Sequence, residues 1–221
     1  MQILWAKRLF LSVDANGLCK NCQPIVIMDI QQRVRILSDS INLAKNSKTF
    51  KTRLSRCDLV IEHAEALLEY EKKGIPTISP LPSKLLKEFS EYHDTIIIEE
   101  AMQIFGKAQK KAEVSTSFKT IENTYVNALL KIDEVFSFLK DKNKGIELKN
   151  KLKSLIHSTK LNGFIDVAKK AEFKGQIKKA VDQYQEALYF ILNDNIPDEQ
   201  QKDKIQEIEN KINSLSEKLK K

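Results

Sequence analysis

The chain has 221 residues, 42% hydrophobic and 30% charged, with a net charge of +7. That balance excludes an intrinsically disordered chain, and no apolar run approaches the ~20 residues that a membrane-crossing helix needs. Six Gly and five Pro stand among many Lys, Leu, Ile, Glu and Ala, so the expected fold is all-α rather than turn-rich β structure.

Residues 1–23 stand apart as a small strand-and-knuckle element. Charges at Lys7 and Arg8 interrupt the first apolar stretch, with no basic segment before it, unlike a secretory leader. Arg8–Val13 reads as a strand, Asn16-Gly17 as a turn, and Cys19-Lys20-Asn21-Cys22 as a Cys-x-x-Cys knuckle. The cysteines Cys19, Cys22 and Cys57 make an odd count, which argues against a disulfide framework and for a reducing cytoplasm. Cys19 and Cys22 are candidate zinc ligands, but tetrahedral zinc needs four, and residues 1–13 hold neither Cys nor His.

Residues 24–74 read as a helical hairpin. Pro24 suits a first helical turn, and Ile25, Met28, Ile30, Val34, Leu37, Ile41 and Ala44 recur on one face. A second helix over about 50–73 carries Leu54, Leu59, Ile61, Ala64, Leu67 and Leu68 and ends at Gly74. Three prolines, Pro76, Pro80 and Pro82, make 75–82 a linker or an ordered crossing loop. Residues 83–221 form the remaining helical region. A short helix is expected near 83–92 and a longer one near 94–115 with Asp94 as its N-cap, followed by helices near 117–141 and 146–158.

The stretch from Ala168 to Leu188 carries the strongest local signal. Two helices, about 161–174 and 177–194, join at Gly175. Ala168, Ala171, Ala180 and Ala187 are small where helices must touch, and Tyr184 fills the groove between them. In the last helix Ile205, Ile208, Ile212, Leu215 and Leu219 step by three and four. Two heptads are short for a coiled coil, so 198–219 is expected to cap the hairpin. Residues 105–129 align without gaps to 164–188, pairing Phe105 with Phe164, Lys110-Lys111-Ala112-Glu113 with Lys169-Lys170-Ala171-Glu172, Lys119 with Lys178, Tyr125 with Tyr184, Ala128 with Ala187 and Leu129 with Leu188. Thr49-Phe50-Lys51-Thr52 echoes Ser117-Phe118-Lys119-Thr120. One helix–turn–helix unit therefore recurs, at irregular spacing.

Residues 161–194, through Ala168, Gly175, Ala180, Tyr184 and Ala187, resemble a tetratricopeptide hairpin; that family's proline after the second helix is displaced here to Pro197. The resemblance implies stacked antiparallel hairpins that present a groove to a partner peptide or helix. Residues 161–221, with the ending Leu215-Ser-Glu-Lys-Leu219-Lys-Lys, also look like a microtubule-interacting-and-trafficking domain, which implies a three-helix bundle binding short tails. Gly17-Leu18-Cys19-Lys20-Asn21-Cys22 resembles one half of a zinc ribbon and implies a degenerate site, or one completed by another chain.

Charge concentrates at 141–180, where 11 Lys face Asp141, Glu147, Asp166 and Glu172, a local excess of +7. Lys149, Lys151, Lys153, Lys169, Lys170, Lys174, Lys178 and Lys179 form the candidate basic patch, suited to nucleic acid, an acidic partner or an anionic membrane surface. The block has no Arg and few aromatic residues, so it lacks the usual tools of specific base readout. His63, His93 and His157 are isolated in sequence; His93-Asp94 lies among Glu91, Glu99 and Glu100 without a recognisable catalytic spacing. Phosphate-cradling, nucleophile-elbow and His-Glu-x-x-His motifs are missing, so no catalytic residue is expected. The expected function is a non-enzymatic scaffold that docks a peptide or helix. Nucleic-acid binding through the lysines, or metal or thiol sensing through Cys19 and Cys22, are the alternatives.

Overall fold

The computed structural model describes Asp14 and residues 16–219. Among them are seven α-helices and no strand: α1 (Cys22–Asn46), α2 (Phe50–Glu71), α3 (Pro82–Glu113), α4 (Phe118–Phe136), α5 (Ile146–Phe173), α6 (Ile177–Leu192) and α7 (Asp198–Leu219), with a 3-10 turn at Lys142–Gly145 before α5. The strand expected over 8–13 lies outside the described residues. The expected knuckle is instead a pair of turns leading into α1. Asp14 accepts the Gly17 N–H on its carbonyl, and the Cys19 carbonyl accepts the N–H groups of Cys22 and Gln23.

The chain divides into two compact units. The first contains the residues up to Glu100 together with Val135–Lys142; the second contains Ala101–Glu134 and the residues from Asn143. The division falls inside α3, and the proline-rich segment lies wholly within the first unit.

In the first unit α1 pairs with α2, and the start of α3 joins them. Leu37, Ala44, Cys57, Val60, Ala64, Leu67, Phe89 and Ile96 are fully buried there. Each large apolar side chain so buried contributes roughly 1.5–3 kcal/mol relative to exposure. Ile75 from the proline-rich segment and Leu18 from the first turn join this core, so both segments are packed pieces of the unit. Polar ties fix the helix pairs: the Tyr70 hydroxyl and Arg33 both donate to Asp29, and Arg53 donates to Tyr92 and Glu99.

Two expected helix breaks do not occur. Residues 83–92 and 94–115 belong to the single helix α3, because Asp94 does not cap it. Asp94 is 3% exposed in mid-helix, and its carboxylate accepts the N–H groups of Lys140 (2.9 Å) and Asp141 (3.3 Å). A capping residue is present, but the donors it satisfies lie 46 and 47 residues away in sequence. Likewise 146–158 and 161–174 are the single helix α5, with Thr159 and Leu161 buried on it. The helix expected to reach 141 stops at Phe136.

In the second unit α5 pairs with α6, and α6 with α7. Ala168, Ala171, Ala180 and Ala187 are at most 3% exposed and Tyr184 is 1% exposed, in one core with Leu161, Ile165, Val181, Ile191, Ile208 and Leu215. The small side chains let α5 and α6 approach, and the Tyr184 ring fills the space they leave. Gly175 closes α5 with φ +69°. Its own N–H reaches Glu172 O, and the Gln176 N–H reaches Ala171 O, a left-handed helix end that suits glycine. Along α7, Ile208 and Leu215 are buried against the hairpin while Leu219 is 51% exposed, so the seam is used for capping only over its middle.

The internal repeat is physical, with a slip. The second helices α4 and α6 start at Phe118 and Ile177, and Tyr125/Tyr184, Ala128/Ala187 and Ile132/Ile191 are buried 59 residues apart. In the first helices the buried Ala101, Phe105 and Ala108 correspond to Leu161, Ile165 and Ala168, 60 apart, while the buried Ala112 and Ala171 nearest the turn keep the spacing of 59. Helix α5 ends 60 residues after α3, so its link to α6 is one residue shorter; Gly175 permits that tighter connection. Phe164, matched to Phe105 by the alignment, therefore sits one position off the buried face.

Candidate functional site

In the second unit a groove of about 490 Å³ lies where the first turn of α4 meets the middle of α5. Gly163 sets the approach of the two helices: a Cβ placed there would stand 3.3 Å from Phe118 Cβ. Phe118, Phe164 and Val167 supply the apolar lining, and Thr116, Ser117, Thr159 and Gln183 supply hydroxyl and amide groups. Val167 is 42% exposed although it is aliphatic and central on α5. The rim cations have partners already: Lys119 with Glu122 at 3.1 Å, Lys170 with Asp166 at 2.7 Å, and Lys160 with its Nζ 4.7 Å from the Phe190 ring centre. The groove therefore presents an apolar floor with neutral hydrogen-bonding groups and a compensated charged rim.

Behind it runs an aromatic and polar chain. The Phe164 and Phe190 rings lie 5.8 Å apart, and His157 stacks on Phe190 at 4.9 Å. His157 Nε2 contacts Asp194 Oδ2 at 2.5 Å. Asp194 also accepts the Ile196 N–H (2.7 Å) and the Gln201 amide (3.1 Å). Burial alone would raise the Asp194 pKa, but the Ile196 N–H, Gln201 and His157 together hold it below its ordinary value. These bonds pin the α6–α7 connection to α5. Sequence reasoning treated His157 as isolated because its partner is 37 residues away and only the fold joins them.

The lysine block is spread over the second unit. Lys151, Lys153, Lys169, Lys170, Lys174, Lys178 and Lys179 are exposed and Lys149 is half-buried. At 3.6 residues per turn, Lys151 and Lys169 project from the side of α5 opposite Lys149, Lys153, Lys170 and Lys174. Lys149 is paired with Asp133 at 2.6 Å, and Lys151 lies 5.2 Å from the Phe105 ring centre. Lys178 and Lys179 stand on the first turn of α6.

In the first unit His93 is 5% exposed between Asp58 (3.3 Å) and Asp94 (3.5 Å), and the Asp94 carboxylate is already engaged by two backbone N–H groups. Glu99 is taken by Arg53 and His63 contacts Arg33, so the acidic surroundings of His93 do not converge on one point. Cys19 and Cys22 are half-buried free thiols. Among the described residues no group of three or more His, Cys, Asp or Glu could hold a metal ion, so the pair gains no third ligand there. No helix among them is long and apolar enough to cross a membrane.

No known protein family, curated protein or solved structure matches this chain.

Proposed function

We propose that this protein is a non-enzymatic interaction scaffold, and that the groove between α4 and α5 docks a peptide or helix of a partner protein. The observation that carries this reading is the apolar floor of exposed Val167 with half-buried Phe118 and Phe164 in a concavity of about 490 Å³ whose rim charges are already paired. Such a lining rewards an apolar anchor residue more than a phosphate backbone. The reading is consistent with a tetratricopeptide-like stack, in which the hairpin of α3 and α4 and that of α5 and α6 are successive units. It is equally consistent with a domain of the microtubule-interacting-and-trafficking type over α5, α6 and α7. The dispersal of the lysines around α5 favours a steering role for them over a continuous phosphate track.

The test is capture from native cell extract by the full-length protein and by Val167→Glu, at low and high salt, with and without nuclease. A protein retained at high salt and after nuclease by the wild type, and lost by Val167→Glu, supports docking in this groove. Capture that vanishes with salt or nuclease moves the function to nucleic-acid binding through the lysines. Capture unchanged by Val167→Glu removes the groove from the function.

A further inference from the structure

Cys19 and Cys22 are unused by the docking groove, and their geometry suits a chemistry of its own. The Cys22 N–H donates to the Cys19 carbonyl at 3.0 Å, closing a four-residue turn. The ends of such a turn lie within about 7 Å of each other, and a disulfide needs Cα atoms roughly 4.4–6.8 Å apart. The Cys22 N–H also reaches Cys19 Sγ at 3.4 Å, and it holds the Cys19 thiol pKa below its ordinary value. The turn is fixed from both sides. Asp14 Oδ1 accepts the N–H groups of Asn16 and Leu18, Leu18 is buried in the core of the first unit, and α1 begins at Cys22.

We propose that Cys19 and Cys22 form a thiol–disulfide exchange site, a dithiol that closes to a reversible disulfide with small disulfides of the glutathione class. The Cys19 sulfur attacks one sulfur of the small disulfide, whose S–S bond breaks; one small thiolate leaves and takes up a proton. The Cys22 sulfur then loses its proton and attacks Cys19 Sγ, breaking the mixed disulfide and releasing the second small thiol. Two cysteines are oxidised to one disulfide, one small disulfide is reduced to two thiols, and both protons end on those thiols. Cys19 is the attacking group because the Cys22 backbone N–H points at its sulfur, and the start of a 25-residue helix and the neighbouring Lys20 favour negative charge there. The chain holds its own control. Cys57 is fully buried, donates to the Phe89 carbonyl at 3.3 Å, and has its pKa pushed up to about 12 by burial.

The test equilibrates the full chain with reduced and oxidised glutathione mixtures, then alkylates free thiols and maps them by mass spectrometry. The expected result is one disulfide joining Cys19 to Cys22, loss of two hydrogens, reversal by excess reduced glutathione, and Cys57 unmodified until the chain is denatured. Cys22→Ser should stop at a glutathione adduct on Cys19. A persistent adduct on the wild type, a disulfide involving Cys57, or no reaction overturns the proposal. So does equimolar zinc that survives desalting and blocks both cysteines, which would make the pair part of a metal site. Partner capture in the groove experiment does not depend on either outcome.

Discussion

The two hairpins of the second unit share a plan and differ in finish. In each, a buried tyrosine on the second helix faces a glutamate at the end of the first. Tyr184 donates to Glu172 at 3.4 Å, and Tyr125 feels the charge of Glu113, the equivalent residue. Both tyrosines are pushed up, first by burial and then by that glutamate; Tyr184 reaches about 12. The α5–α6 hairpin adds three things: a left-handed glycine turn, a nine-residue buried apolar face on α5 and α6 closed over by α7, and the bond from Lys211 on α7 to Glu172 at 3.2 Å. The α3–α4 hairpin turns through Val114-Ser115-Thr116-Ser117 with no positive-φ residue. One sequence pattern thus recurs with a different turn and, for the second copy, an added covering helix.

The largest expected effect comes from truncating the tyrosines. Tyr184→Ala should cost about 3–5 kcal/mol in urea unfolding of the full chain, and Tyr125→Ala less, because Tyr125 is 8% exposed against 1% for Tyr184. Equal costs, or the reverse order, would break the comparison. Overfilling comes next. Ala187→Leu should cost roughly 1–3 kcal/mol and Ala128→Leu a smaller part of that range, since Ala128 retains 4% exposure where Ala187 has none. An unchanged melting temperature for Ala187→Leu would remove the close packing of α5 on α6.

Asp194 sharpens the role of the α7 cap. Its folded pKa is depressed, so its contribution is fully present above the ordinary carboxylate value and is lost as pH falls through the folded value, below about 4. Asp194→Asn should cost about 1–3 kcal/mol at neutral pH by removing a buried, hydrogen-bonded charge, and should flatten the acid limb of the stability profile. A variant that keeps the full acid limb would place the acid sensitivity elsewhere. The smallest effects concern glycines. Gly175→Ala should destabilise by about 1 kcal/mol because φ is +69° there, although no atom crowds the added Cβ. Gly106→Ala, in α3 with open space around it, should stabilise by about 0.5–1 kcal/mol; thermal melts of the two variants should move in opposite directions.

Much of the fold can be read from local pattern. The all-α class, the starts of α1, α2, α4, α6 and α7, the end of α2 near Gly74 and the hairpin around Gly175 follow from apolar period, caps and breakers that act over one or two turns. The two missed continuities have separate causes. Asp94 carries a capping residue's chemistry, and a sequence shows the acceptor without showing which donors it meets. The 158–163 stretch, with Ser158, Thr159 and Gly163, is a weak helix former, yet α5 runs through it with Thr159 and Leu161 buried. The groove was only half legible. The echo at Ser117-Phe118-Lys119-Thr120 marked the right helix start, but nothing local paired it with Val167.

The sequence by itself determined which segments are helical, which faces are apolar and where the chain must turn, because those depend on neighbours three or four residues away. Tertiary structure alone decided the partners of the buried polar groups: Asp94 with Lys140 and Asp141, His157 with Asp194, Tyr70 with Asp29. It also decided the one-residue slip between the repeats and the depth of the groove. These arise where packing brings together residues that are remote along the chain, and a buried donor or acceptor must then be satisfied by whatever the fold places beside it.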